Sequence, residues 1–247
     1  MATEPAHLLI SNRRDPWLNL AAEEYLLRLA DREEGLPALV FYVNSPCVVV
    51  GRNNRLSEWV WVEKVRQRNL PLIRRISGGG TVVHHEDNLN YGLILPRDLI
   101  PDLTPKAIQN EVLSLVITCL SRLGISAERG GISDLMVVGR KVGGSGLWIS
   151  RRTALFHGTL LFMSRVELME EVLPVPPNRD QNLAHRDFVA GLVELGHPVM
   201  MEDVMVEMVA EVERRYRLSL SPLEFDDQLA GEVQPILEEI RRRSEQP

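Results

Sequence analysis

Apolar residues follow two different periods along this chain. Short β-branched and aromatic runs recur at residues 7–11, 38–43, 47–51, 71–76, 81–84, 89–95 and 153–163, and runs of that length and make-up predict strands. Between them lie stripes at i, i+3/i+4 spacing. Leu18, Ala22, Tyr25, Leu26 and Leu29 predict a helix from Asp15-Pro16 to about residue 32, with the aspartate as cap and the proline at the first helical position. Ile108, Val112, Leu115, Val116, Cys119 and Leu123 predict a second after Thr104-Pro105. Further helices are expected near 57–68, 165–172, 184–195, 201–216 and 232–243. Residues 133–149 read as two strands joined at Gly139-Arg140, Asn44-Ser45-Pro46 as a turn, and 173–178 as an irregular, proline-rich bridge. No repeat or long linker divides the chain. The expected class is α+β, a mixed β-sheet flanked by helices, with the main domain over 1–217 and a C-terminal helical extension over 218–247.

Composition narrows the function. A chain of 247 residues with 45% hydrophobic and 25% charged content can bury a large core. Its net charge of −6 argues against nucleic acid as the main partner. No basic, apolar leader opens the sequence and no stretch of about 18 apolar residues occurs, so neither a signal peptide nor a membrane span is expected. Cys47 and Cys119 have no metal-like spacing and suit a reducing cytoplasm. Of 28 basic residues only three are lysine: Lys64, Lys106 and Lys141. Lys64 and Lys106 fall on expected helix surfaces. A lysine retained beside Arg140 invites a chemical reason, because an ammonium is a compact point charge and a guanidinium a planar fork.

The most distinctive stretch is Arg74 to Asn90, RRISGGGTVVHHEDNLN. Gly78, Gly79 and Gly80 join two strand-like runs, with no following helix and no lysine, so this is not a Walker A loop. Bare backbone flanked by Arg75, Ser77, His84 and Asn88 makes a floor for a polar, anionic ligand. A Gly-rich hairpin on a charged surface fits the same residues.

RRISGGGTVVHH, GRKVGG and HGTLLF, in that order, resemble the lipoate–protein ligase family, whose fold group also holds biotin protein ligases and octanoyltransferases. DPWLNLAAEEYLL and NSPCVVVGRNN resemble it too, and the likeness runs over about residues 7–217. The resemblance implies the biotinyl/lipoyl protein ligase catalytic-domain fold and an ATP-dependent reaction. Lipoate or octanoate is converted to an acyl-AMP such as lipoyl-AMP, and the acyl group then passes to a lysine of a lipoyl-domain acceptor. Dehydrogenase E2, glycine-cleavage H protein and a lipoate-binding protein are the candidate acceptors.

By resemblance Lys141 contacts the acyl carbonyl and α-phosphate, and a solvated hairpin lysine is the plain alternative. Arg75 would bind the phosphate side, with Arg74 assisting or forming a structural pair. Gly78 to Gly80 would lie along the intermediate, and His84 and Asn88 would follow them into the site. Gly143, Gly144 and Ser145 would let the adenylate pack on main chain. His157 and Thr159 would line the cavity, although a buried structural histidine has the same signature. Asp134 would approach the phosphates through Mg²⁺, or else cap a turn. Val49, Val50, Val82 and Leu160 are candidates for the apolar slot. His85 stands where many relatives carry an acid, and Asp87 where they carry glycine. Octanoyl or lipoyl transfer through an enzyme thioester is the alternative activity, but Val175 stands near where one transferase class has its cysteine. Many bacterial ligases also carry an accessory domain, so a separate accessory subunit enters the expectation.

Overall fold

The computed structural model describes residues 3–246 apart from 33, 34, 101, 103 and 178. Its frame is an eight-stranded mixed sheet built from β1 (Glu4–Ile10), β2 (Ala38–Tyr42), β6 (Asn88–Pro96), β7 (Ala127–Gly130), β8 (Asp134–Val137), β9 (Arg140–Ile149), β10 (Thr153–Leu161) and β11 (Leu218–Leu223). The strand order is β11-β1-β2-β6-β10-β9-β8-β7. β1 runs parallel to both β11 and β2, and the other pairs are antiparallel. A second sheet, β4-β3-β5, is made from β3 (Cys47–Val50), β4 (Leu72–Arg74) and β5 (Val82–His84).

The period of two in the strands divides the core. In β2 every residue is buried. Leu39 and Phe41 face the layer of α4 (Pro105–Arg122) and α7 (Met201–Tyr216), while Ala38, Val40 and Tyr42 face the layer of α1 (Pro16–Ala30), α8 (Asp227–Glu232) and α9 (Gln234–Ser244). A strand covered on both faces loses the hydrophobic–polar alternation of a half-solvated one. Both long-helix starts form as the caps dictate. Asp15 Oδ1 accepts from the Trp17 and Leu18 amides at 2.8 and 3.2 Å, and Thr104 Oγ1 accepts from Ala107 at 3.3 Å.

Several expectations change in the folded chain. The helix expected over 57–68 is two short ones, α2 (Leu56–Trp59) and α3 (Val62–Gln67), because the Trp61 amide bonds to the Val172 carbonyl instead of continuing the helix. The helix expected over 184–195 shrinks to α6 (His185–Phe188). Beyond it, Ala190 and Leu192 donate to the carbonyls of Lys141 and Leu161, so tertiary pairing takes the amides a helix would need. α5 (Val166–Val172) forms where expected and leads into the proline-rich bridge, of which residue 178 lies outside the described residues. The extension over 218–247 opens with a strand, β11, at the sheet edge beside β1. Its helix α9 packs on α1 and β4, with Arg243 bonded to Glu24 and to the Arg74 carbonyl at 2.7 and 2.9 Å.

Candidate active site

The glycine turn between β4 and β5 is held together by an arginine. Arg75 is 6% exposed, and its guanidinium donates to Ser77 Oγ at 2.9 Å and to the Gly78 and Gly80 carbonyls at 2.8 Å each. Burial lowers its pKa to about 10. Gly79 has φ of 102°, and a Cβ there would stand 2.7 Å from the same guanidinium, so this position needs glycine twice over. Arg74 points elsewhere. It donates to the Gly51, Arg52 and Asn54 carbonyls and to Gln246 O, tying loop 51–54 to the C-terminal segment and serving structure in preference to phosphate.

The turn packs on the middle of the large sheet at Gly146. A Cβ on Gly146 would lie 2.7–2.9 Å from Gly78 O, Ser77 Oγ and His157 Nε2. This crossing point escaped the sequence reading, which stopped at Ser145. Ser77 is fully buried, with Oγ 2.5 Å from His157 Nε2, and His157 Nδ1–H donates to Glu23 Oε1 at 2.6 Å. Glu23, 2% exposed on α1, is the buried carboxylate of this end and was also missed, because it lies outside the apolar stripe that predicted the helix.

A two-lobed cavity opens between the small sheet and strands β8–β10. Lys141, Gly144, Thr159, Trp59 and Arg179 line both lobes. Val82 also lines both; the first lobe reaches Val49, Arg75, His84 and His157, and the second reaches Asn88, Gly143 and Phe188. Thus Arg75, Gly80, His84, Asn88, Asp134, Lys141, Gly143, Gly144, Ser145, His157 and Thr159 come together at one cavity. Ser77, Gly78 and Gly79 stand behind the wall and support it. Of the slot candidates, Val49 and Val82 face the cavity, whereas Val50 and Leu160 belong to the packed cores.

The charged centre is a triad of ions. Lys141 Nζ lies 2.7 Å from Asp134 Oδ1, and Arg179 bonds the other carboxylate oxygen. Arg179 also sits 4.5 Å from the Phe188 ring centroid, a cation–π distance. It follows the proline bridge, and nothing local in the sequence distinguished it from the other arginines. Both oxygens of Asp134 are therefore occupied by cations. Among the described residues no group of three or more His, Cys, Asp or Glu could hold a metal ion; a lone carboxylate such as Asp134 would hold Mg²⁺ only together with substrate phosphates. Asn88 is fully buried and its Oδ1 has no partner among the described residues, leaving an acceptor at the second lobe.

Neither cysteine is poised as a nucleophile. Cys47 and Cys119 are both fully buried, and burial raises both thiol pKa values, that of Cys119 to about 12. His85 is buried with Nδ1 accepting from the Asp87 amide at 3.3 Å, and Asp87 is bound by Arg165 at 2.7 Å, so both departures sit in a local ion-pair cluster outside the cavity lining.

Residues 15–213 match the family model of the lipoyl protein ligase A/B catalytic domain. The chain is 34% identical over 170 residues to lipoate-protein ligase LplJ of Bacillus subtilis, covering 68% of this chain and 49% of that protein. It is 33% identical over 169 residues to lipoate–protein ligase 1 of Staphylococcus aureus, with coverage of 68% and 49%. The chain thus spans about half the length of the curated relatives it matches. In three dimensions it is similar to the bipartite lipoate protein ligase of Thermoplasma acidophilum, with a TM-score of 0.83 at 20% identity over 95% of this chain and 92% of that one. It is also similar to a lipoate-protein ligase A bound with ATP, with a TM-score of 0.80 at 20% identity over 95% and 94%. A Thermoplasma acidophilum protein with bound lipoic acid gives 0.79 at 19% identity over 95% of each chain. The fold is that of lipoate ligase catalytic domains, and the sequence match makes this chain a member of the lipoyl protein ligase A/B catalytic domain family.

Proposed function

We propose that this chain is the catalytic part of an ATP-dependent lipoate–protein ligase. The carboxylate of lipoate or octanoate attacks the α-phosphate of ATP, and pyrophosphate leaves. The ε-amine of a lysine on a lipoyl-domain acceptor then attacks the acyl carbonyl, giving an amide, AMP and a proton. The observation that carries this reading is Lys141: it lies where the two lobes meet, beside Arg179 and across from a lobe containing Val49 and Val82. An acyl chain suits the first lobe and a nucleotide the second, with the mixed anhydride next to the ammonium. Charge develops on phosphate oxygens in the first step and on the carbonyl oxygen in the second. Preoriented cations at both are the expected source of rate.

The relatives' names and the bound ATP and lipoic acid of the structural neighbours support the same chemistry. Mg²⁺ enters as the ion of the nucleotide substrate. Asp134 is the carboxylate of the cavity lining that could meet it, once Lys141 and Arg179 turn to the phosphates. The acceptor is a lipoyl domain of a dehydrogenase E2, an H protein or a lipoate-binding protein, reached in the cytoplasm. No helix among the described residues is long and apolar enough to cross a membrane.

The test is incubation with ATP, Mg²⁺, lipoate and an apo lipoyl domain, followed by mass spectrometry. Acceptor labelling that requires ATP is expected. Labelling only after a second polypeptide is added would assign an accessory subunit, and labelling only from octanoyl carrier protein would replace the ligase by the transferase. Cys47→Ser is expected to retain ATP-dependent labelling; its loss in a folded variant would restore the thioester route.

A further inference from the structure

Four polar side chains run inward from the N-terminal loop to the cavity: Ser11, Asn19, Asn44 and His84. Asn19 on α1 and Asn44 in the β2–β3 turn are each no more than 1% exposed. The chain has a direction. Asn19 Nδ2 donates to the Arg13 carbonyl at 3.0 Å, and a carbonyl can only accept. That orients the amide: Nδ2 gives its other hydrogen to Asn44 Oδ1 at 2.8 Å, and Asn19 Oδ1 accepts from the Ser11 hydroxyl at 2.6 Å. With its oxygen engaged, Asn44 turns Nδ2 toward His84 Nδ1 at 3.0 Å. An amide nitrogen donates, so His84 Nδ1 accepts, and the single proton of the neutral ring resides on Nε2.

Burial, with the neighbouring charge of Arg75, lowers the His84 pKa to about 3, which keeps the ring neutral. His84 lines the first lobe, and its Nε2 makes no hydrogen bond to the described residues. His157 is arranged the other way. Its Nδ1–H is on Glu23 and its Nε2 on Ser77, so neither ring nitrogen is left for a ligand.

We propose that Asn44, oriented by Asn19, is a positioning residue that locks His84 as the Nε2–H tautomer, so that the first lobe offers one neutral hydrogen-bond donor to an uncharged acceptor of the acyl ligand. The ligand's identity rests on the ligase reading; the tautomer does not. A neutral donor among Leu20, Val49 and Val82 can meet a dithiolane sulfur, or the acyl carbonyl oxygen once the carboxylate has become acyl-AMP, at low desolvation cost. Octanoate has no sulfur and offers only the carbonyl of its acyl-AMP, so the two acids, compared in the full ATP-dependent reaction, separate the two contacts.

The full chain labelled with ¹⁵N-histidine answers this by long-range ¹H–¹⁵N spectra, with His84→Gln for assignment. A pyrrole-like Nε2 and a pyridine-like Nδ1 are expected for His84 without ligand; the reverse overturns the proposal. Asn44→Asp substitutes an acceptor for the donor and should move a proton onto Nδ1, while raising KM for lipoate about tenfold with little change in kcat. An unchanged tautomer in that variant removes Asn44 from the role. A matching rise for octanoate assigns the contact to the carbonyl, and a rise for lipoate alone assigns it to sulfur. Should Asn44→Asp not fold, addition of lipoate with ATP to the wild type decides. The Nε2–H resonance should shift on binding, and binding by calorimetry without such a shift sinks the contact. A wild type with the expected tautomer but no ATP-dependent labelling would discard the ligase reading and leave the lock standing.

Discussion

The two ends of the cavity hold their polar groups in opposite ways. Around the glycine turn, Arg75, Ser77, His84, His157 and Glu23 are each no more than 7% exposed and bonded to one another, to Asn44 or to main-chain carbonyls. Across from them Lys141, Asp134 and Arg179 keep 27%, 15% and 29% of their side chains exposed and are held by ion pairs alone or with one aromatic contact. Desolvated, mutually bonded groups are costly to disturb. Partly solvated ions exchange partners at lower cost than buried, mutually bonded ones. The first end is therefore a fixed wall, and the second is a set of ion pairs that, in the proposed reaction, would exchange Asp134 for phosphate oxygens.

That contrast breaks most visibly at Lys141. Lys141→Ala should reduce ATP-dependent labelling by about 10³-fold, as for loss of a charge-stabilising donor, while thermal unfolding shifts by less than about 0.5 kcal/mol. Near-normal turnover would remove the ammonium from the chemistry. At the other end Glu23→Gln should cost roughly 3 kcal/mol in urea unfolding, because it removes the carboxylate facing His157 in a buried network. A stability loss below about 1 kcal/mol would mean the wall is not coupled as described.

Acid sharpens the same point. His84 binds its proton near pH 3 when folded and near 6.5 when unfolded. Between those values the unfolded chain holds more protons, so the contribution is complete above about 6.5 and disappears as pH falls toward 3. Wild type should lose about 2 kcal/mol relative to His84→Gln between pH 6.5 and about 4.5 in paired urea titrations. Parallel curves would refute it. The smallest effect is expected for Arg179→Ala, about a tenfold rise in KM for ATP with the cavity wall intact; a folding defect there would show that the ionic end is not independent of the rest.

How much of this was visible beforehand depends on range. α1 and α4 were legible from Asp15-Pro16 and Thr104-Pro105, since a cap acts within three residues. The glycine turn at Gly78 to Gly80 and Lys141 were singled out by residue type, the lysine against a background of arginine; Lys141 and Gly80 do line the cavity, whereas Gly78 and Gly79 do not. β7 was not, because AERG is a short, largely exposed edge strand with no apolar run. β11 contains Pro222 and is recruited only by pairing with β1. Asn44 looked like a turn residue and is one, yet its side chain is fully buried. Arg74, read as assisting Arg75 or forming a structural pair, ties the 51–54 loop to the C-terminal segment.

Helix starts, strand periods, family membership and the glycine turn follow from contacts within a few positions, and these the order of residues is enough to settle. The partners that give the site its electrical character lie far apart in the chain: Asn44 and His84 by 40 positions, Ser77 and His157 by 80, Glu23 and His157 by 134. A hydrogen bond depends on ångström-scale distance and angle. Which ring nitrogen carries a proton, and which main-chain carbonyls an arginine meets, emerges only when the two sheets and α1 have packed together.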